Sequence, residues 1–392
     1  MKRLAALLFG GLLLLSVVMP VSAASEVITV YNWGQYISDG TDGSLDVLDA
    51  FTEATGIRVN YVTFDSNETM YTKLKTGGSS YDVIIPSDYM IAQLIAEDML
   101  EPIDFSNVPN YANIDEAFRN TDYDPENLYS VPYTWGTVGL IYNTKYVEPT
   151  TTWRTLWDSK YQGKILMFDN PRDAFAIAEL LEGLSLNTED QRDFEKAAAL
   201  LQAQKPVLQQ YVMDQIFERM EREEAWAAPY YAGDYLTMAE ENPDLAFCHP
   251  DEGFNLFIDA MCIPKGCENK AGAEAFINFM CDPEISGANL EYIGYSTPVS
   301  AAREFMDPEM AESPVSYPDE TVLERGVAFR ALSVDAAQRM NALWLDVKTA
   351  GSNTTGYLIA AGCAAAALVV LTAALRLRRK RKIARRGISQ RQ

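Results

Sequence analysis

The residues able to do chemistry in this chain are few in kind. His249 is the single histidine among 392 residues. HExxH zinc sites and multi-histidine metal centres therefore cannot be built, and a histidine-based triad would have to use that one residue. No GxGxxG, GxxxxGK or GxSxG string occurs, so the usual marks of dinucleotide, phosphate-loop and serine-hydrolase chemistry are missing. Cys248, Cys262, Cys267 and Cys281 follow a C-x13-C-x4-C-x13-C spacing that fits no common zinc pattern. They allow three disulfide connectivities or four free thiols, although a helix of about 15 Å between Cys267 and Cys281 argues against pairing those two. What the chain has in quantity is carboxylate, 55 Asp and Glu in all, so a carboxylate pair for glycoside hydrolysis stays open. Asp259 stands out by position. It lies inside an apolar strand, where alternation puts it on one face with Phe257, and an acid there needs a partner. Binding is thus the leading class and an enzyme the second, with no cofactor and no metal expected.

The elements that must position these side chains alternate. Apolar runs predict strands over 27–31, 57–64 and 82–86. Helical spacing predicts helices over 44–55 and from Ser66 to the Gly77-Gly78 pair, with another starting at Asp88. Strand, helix, strand, helix, strand within about 65 residues is the pattern of a parallel α/β sheet. In such sheets ligands bind at the carboxyl ends of the strands, here Asn32-Trp33-Gly34 and Ser87-Asp88-Tyr89. A second set follows, with strands near 140–142, 163–168 and 226–229 and helices near 172–184 and 188–204. A hairpin is expected around 251–253, then a strand over 256–263 and a helix over 270–280.

The two ends read as addresses. Lys2-Arg3, an apolar run over 4–18 and small residues around Ala23 predict a secretory signal peptide over 1–23. Residues 356–375 carry no charge and are long enough to cross a bilayer. A basic tail over 376–392 follows, which the positive-inside rule places in the cytoplasm. The formal charge is −23, but Lys2, Arg3 and the nine basic residues of 356–392 contribute eleven positive charges with no acid, leaving −34 on 24–355. That acidity disfavours nucleic acid as a partner. The expected product is an extracytoplasmic domain tethered by a C-terminal membrane helix.

Five strings in order carry a resemblance. They are Tyr31-Asn32-Trp33-Gly34-Gln35-Tyr36, Ser66-Asn67-Glu68-Thr69-Met70-Tyr71, Tyr81-Asp82-Val83-Ile84-Ile85-Pro86-Ser87, Tyr133-Thr134-Trp135-Gly136 and Ile293-Gly294-Tyr295-Ser296-Thr297-Pro298. Over about residues 27–350 the chain resembles the periplasmic polyamine-binding proteins, the spermidine/putrescine receptors of ABC importers. The resemblance implies a two-lobed α/β periplasmic-binding-protein fold, type II-like, with hinge crossovers. Lobe 1 would comprise 27–136 and 260–302, and lobe 2 would comprise 137–259 and 303–350. It also implies a monomer that closes on its ligand and delivers it to an ABC permease.

A polyamine is a chain of methylenes with ammonium groups at intervals. Each buried ammonium needs carboxylate or hydroxyl acceptors, and aromatic walls suit both the methylenes and the cations. Carried over by resemblance, Trp33 and Tyr36 wall the ligand, while Ser87 and Tyr89 offer polar contacts. Asp173 accepts from an ammonium, and Asn170 falls where the family has an acid. Tyr231 replaces a tryptophan wall, and Asp234 matches an acid of the putrescine-selective branch or is a solvated loop acid. Phe257 stands where tryptophan is usual, Asp259 is the central carboxylate, and Tyr295 is a wall or hydroxyl donor. Arg330 falls on a late glutamine position, where a fixed cation would repel a polycation unless it pairs with Asp173 or points away. That departure leaves an alignment slip or a shorter or different ligand, and it favours putrescine over spermidine. The function so expected is a polyamine receptor. The alternatives are another small solute in the same fold or a surface hydrolase with paired acids.

Overall fold

The computed structural model describes residues 27–77 and 80–350. The signal peptide expected over 1–23, the membrane helix over 356–375, the tail over 376–392 and Cys363 lie outside the described residues. Among the described residues no helix is long and apolar enough to cross a membrane.

Eleven strands are present: β1 (Val27–Trp33), β2 (Arg58–Phe64), β3 (Val83–Ile84), β4 (Leu100–Glu101), β5 (Ser130–Asn143), β6 (Ile165–Phe168), β7 (Leu208–Val212), β8 (Ala227–Tyr231), β9 (Leu245–Cys248), β10 (Phe254–Pro264) and β11 (Gly326–Val327). The main path runs β2-β1-β3-β10-β5-β8-β6-β7. β1, β2 and β3 are mutually parallel, as are β6, β7 and β8. The sheet is nevertheless mixed rather than parallel throughout, because β10 enters antiparallel to both β3 and β5, and β5 runs antiparallel to β8.

β5 joins the two halves. Its first part, through Thr137, pairs with β10, and from Val138 onward it pairs with β8. All fourteen of its residues are buried, as expected for a strand covered on both faces. The hairpin expected around 251–253 does not form. β9 and β10 both run antiparallel to β5, so they share a direction and the turn between them does not reverse the chain. β10 carries a register shift between Asp259 and Ala260, a bulge of the kind that re-aims a side chain beside a site.

The helices start where capping residues stand. Ser66 and Thr69 form a reciprocal capping box at the head of Asn67–Thr76. Asn170 caps Pro171–Leu181, with proline in the first turn. Gly56 ends Val47–Thr55 with φ +78°, a left-handed conformation that favours glycine. Helices Ala232–Glu241, Pro283–Ile293 and Val334–Thr349 go beyond the sequence reading. The last of these seats Trp344 edge-on against Tyr211 at 5.0 Å and against Phe175 at 6.5 Å. The four cysteines of the described region are free thiols.

Candidate functional site

The strand ends and helix heads converge on one cleft enclosing about 710 Å³ of empty space, open solvent at its mouth included. Six acids line it: Glu68, Asp88, Asp173, Asp214, Asp234 and Asp259. Among the described residues, none of the six forms an ion pair with a lysine or arginine.

Each acid is held differently. Asp259, 3% exposed at the β10 bulge, accepts a 2.6 Å hydrogen bond from the Tyr36 hydroxyl on Oδ2, and its Oδ1 has no partner. Burial pushes its pKa up to about 6, against the opposing effect of the Tyr36 hydroxyl. Asp173 sits in the first turn of Pro171–Leu181. Its Oδ2 accepts from Asn170 Nδ2 at 2.6 Å and from the Tyr231 hydroxyl at 3.0 Å. Burial likewise pushes it up to about 6. Asp88 is fully enclosed and takes the backbone N–H of Tyr89 at 2.7 Å, and burial raises it to about 8. Asp234 is raised by burial to about 8, against the Tyr295 hydroxyl. Glu68 accepts from the Tyr89 hydroxyl at 3.0 Å, and burial raises it as well. A cleft whose carboxylates all rise through burial, none of them ion-paired among the described residues, is suited to receive a cation.

The walls are aromatic. Tyr295 meets Tyr36 edge-on at 5.0 Å, and Phe257 meets Tyr231 at 5.5 Å. Tyr89 meets Phe329 at 5.7 Å. Trp33, at the end of β1, rests on Phe64 at 4.6 Å and donates its indole N–H to the Ile85 carbonyl at 3.0 Å. Two glycines make room for rings. A Cβ on Gly136 would stand 2.7 Å from the Phe257 ring, and one on Gly233 would stand 2.3 Å from the Tyr295 ring. Asn67 ties Ser87 and Tyr89 together through its Nδ2, at 3.0 and 3.1 Å.

Of the residues singled out from sequence, Trp33, Tyr36, Ser87, Tyr89, Asn170, Asp173, Tyr231, Asp234, Phe257, Asp259 and Tyr295 all line this cleft. Arg330 does not. It is exposed, its N–H donates to Asn187 Oδ1 at 2.8 Å, and its carbonyl accepts from Arg172 Nη2 at 3.0 Å. The lining residue there is its neighbour Phe329, one position earlier. Asn170 is explained as well. Its side chain both caps the helix and donates to Asp173, which an acid in that place could not do. Asn67, Glu68, Asp88, Met213, Asp214, Tyr230 and Asn255 also line the cleft. Asp88 lies at the strand end that the sequence already marked, and Glu68, which opens a helix directly after a strand, could have been found by the same rule. Asp214 follows β7, a half-buried strand with two glutamines and little apolar signal.

Residues 46–315 match the model of the bacterial extracellular solute-binding proteins. The chain belongs to that family. This solute-binding protein is 33% identical over 323 residues to the spermidine/putrescine-binding periplasmic protein of Salmonella typhimurium, covering 82% of this chain and 91% of the relative. It is 29% identical over 351 residues to the putrescine-binding periplasmic protein SpuD of Pseudomonas aeruginosa, covering 84% and 94%. Among solved structures it matches the spermidine/putrescine ABC transporter substrate-binding protein PotD of Streptococcus pneumoniae, with a TM-score of 0.70 and 37% identity. That match covers 83% of this chain and 99% of the other. The architecture is accordingly the two-lobed α/β fold of these receptors.

Proposed function

We propose that this solute-binding protein is a polyamine receptor that takes putrescine and/or spermidine between its lobes and delivers it to an ABC permease. One observation carries the reading: six carboxylates stand among aromatic walls, and among the described residues no lysine or arginine is ion-paired to any of them. An alkyl polyammonium supplies what they lack, charge for the acids and methylenes for the rings. The names of the Salmonella, Pseudomonas and Streptococcus relatives support the same ligand class.

The binding residues proposed are Trp33, Tyr36, Ser87, Tyr89, Asn170, Asp173, Tyr231, Asp234, Phe257, Asp259 and Tyr295, with Phe329 taking the place first given to Arg330. Lobe 1 is assigned 27–136 and 260–317, and lobe 2 is assigned 137–259 and 318–350, beginning where β5 changes partner. The final crossing is placed after residue 317 rather than at 303. Tyr317 lies 6.1 Å from the Trp135 ring, and the Ser316 carbonyl accepts from Ser296, both lobe 1 positions. The protein acts as a monomer, exported by the segment over 1–23 and tethered by 356–375 with its tail in the cytoplasm.

Thermal shift and calorimetry with putrescine, spermidine, amino acids and sugars test the ligand. Melting should rise with an amine and not with the others, and no response to either amine overturns the reading. Fractionation of cells after deletion of 356–392 tests the tether, which fails if the truncated protein stays with the membrane.

A further inference from the structure

The segment that carries Phe329 is held by side chains rather than by a sheet or a helix. Residues 328–333 are in neither, so their backbone groups need partners from elsewhere. Asn187 supplies them on both sides of Phe329. Its Nδ2 donates to the Ala328 carbonyl at 2.9 Å, and its Oδ1 accepts from the Arg330 N–H at 2.8 Å. Arg172 completes the clamp. Its Nη2 donates to the same Oδ1 at 2.9 Å and to the Arg330 carbonyl at 3.0 Å, and its guanidinium stacks on the Phe329 ring at 4.4 Å. Glu179, Asp173 and Glu68 balance the Arg172 charge, so it serves here as a donor and a flat packing surface. Neither Asn187 nor Arg172 lines the cleft.

The ring held in this way meets the other lobe. Tyr89 belongs to lobe 1, where its hydroxyl donates to Glu68 Oε1 at 3.0 Å and accepts from Asn67 Nδ2 at 3.1 Å. It stands edge-on to Phe329 at 5.7 Å, with the ring planes at 89°. Tyr89 packs both on the lobe 1 core that includes Met90 and Ile91 and on the small lobe 2 cluster of Ala176, Leu186 and Phe329. Two rings, each fixed from its own lobe, therefore touch across the cleft. The lobes cannot part without breaking that contact, whereas a ligand entering between parted lobes does not meet it.

Resting on the polyamine reading and its two lobes, we infer that Asn187 is a positioning residue for closure: by fixing Phe329 against Tyr89 it sets a latch that slows release of the bound amine and leaves its capture unchanged. Asn187 itself touches no ligand.

Stopped-flow fluorescence on the purified full chain, with putrescine and with spermidine, tests this. Asn187→Ala removes the bonds to Ala328, Arg330 and Arg172. It should raise the dissociation rate about threefold to tenfold, the range for one aromatic contact, with the association rate within about twofold of the wild type. Asn187→Asp keeps the acceptor and loses the donor, so its dissociation rate should rise less, and it carries the test should Asn187→Ala fail to fold. Phe329→Leu should also speed dissociation. Adding an Asn187 substitution to it should change little more, because the ring that Asn187 positions is absent. An unchanged dissociation rate in the Asn187 variants overturns the latch and leaves the polyamine reading standing. So do additive effects in the double variant, or slower association at an unchanged dissociation rate. Failure of the wild type to bind either amine removes the polyamine reading, and the latch with it.

Discussion

The Tyr36 hydroxyl donates to Oδ2 of Asp259 at 2.6 Å, while Oδ1 of the same buried carboxylate has no partner. Half of this acid is oriented by the protein and half is left for something else. Leaving a buried charge half-satisfied costs stability unless binding completes it. Asp259→Asn should therefore weaken putrescine by about 2–4 kcal/mol, the range for a buried ammonium that loses its charged partner. The fold should persist, because the amide still accepts from Tyr36. Unchanged affinity by calorimetry, with an intact melting transition, would remove Asp259 from the site.

The raised acids link binding to pH. Burial holds Asp88 and Asp234 at about 8, and Asp173 and Asp259 at about 6. A carboxyl whose folded pKa lies above its unfolded one contributes stability that is full below the unfolded pKa and lost as pH rises through the folded pKa. His249 works oppositely below its ordinary value, because burial lowers it to about 4. The window from pH 6.5 to 8.5 therefore reports Asp88 and Asp234 together with Glu179, which burial also raises to about 8. Across it the ligand-free protein should melt at progressively lower temperature. A bound cation favours ionised acids, so the melting rise produced by saturating putrescine should grow from pH 5 to 8.5. A rise independent of pH would contradict this.

Asn170 and Asp173 supply a sharper version of the same argument. The Asn170 amide donates to Asp173 and so favours the ionised acid. Asn170→Asp keeps the helix cap but replaces the donor with a second carboxylate, and two acids so close cannot both ionise cheaply. The pH at which amine binding is half lost should move upward by about one unit. A titration of affinity against pH decides it, and a midpoint that stays put or falls refutes the proposed role of Asn170.

Much of this was legible in the chain, and the failures have physical causes. Strands ending at Trp33 and Ser87 were read from apolar runs closed by polar residues, and the strand-end rule then located the cleft. Asp259 was found because an acid in an apolar strand has no other use. The direction of β10 was not readable, since a buried strand has the same composition whether parallel or antiparallel. β7 was missed because it is half-buried and carries two glutamines. Arg330 was placed in the site and Phe329 left out by one position, because the 318–333 segment has little regular structure to fix its register.

Gly233 and Tyr295 give the most direct test of the aromatic wall. Gly233 lies at the head of Ala232–Glu241, and a Cβ there would stand 2.3 Å from Cδ2 of the Tyr295 ring. The ring cannot stay in place, so Gly233→Ala must push it from its edge-on contact with Tyr36 at 5.0 Å. Overpacking of this kind costs about 1–3 kcal/mol of stability, and loss of the wall should weaken putrescine by at least about tenfold. The two effects separate in the double variant Gly233→Ala with Tyr295→Val. The smaller side chain relieves the clash, so melting should recover toward the wild type. The wall is still missing, so affinity should not. If affinity recovers together with stability, Tyr295 only packs the lobe and the ligand does not touch it.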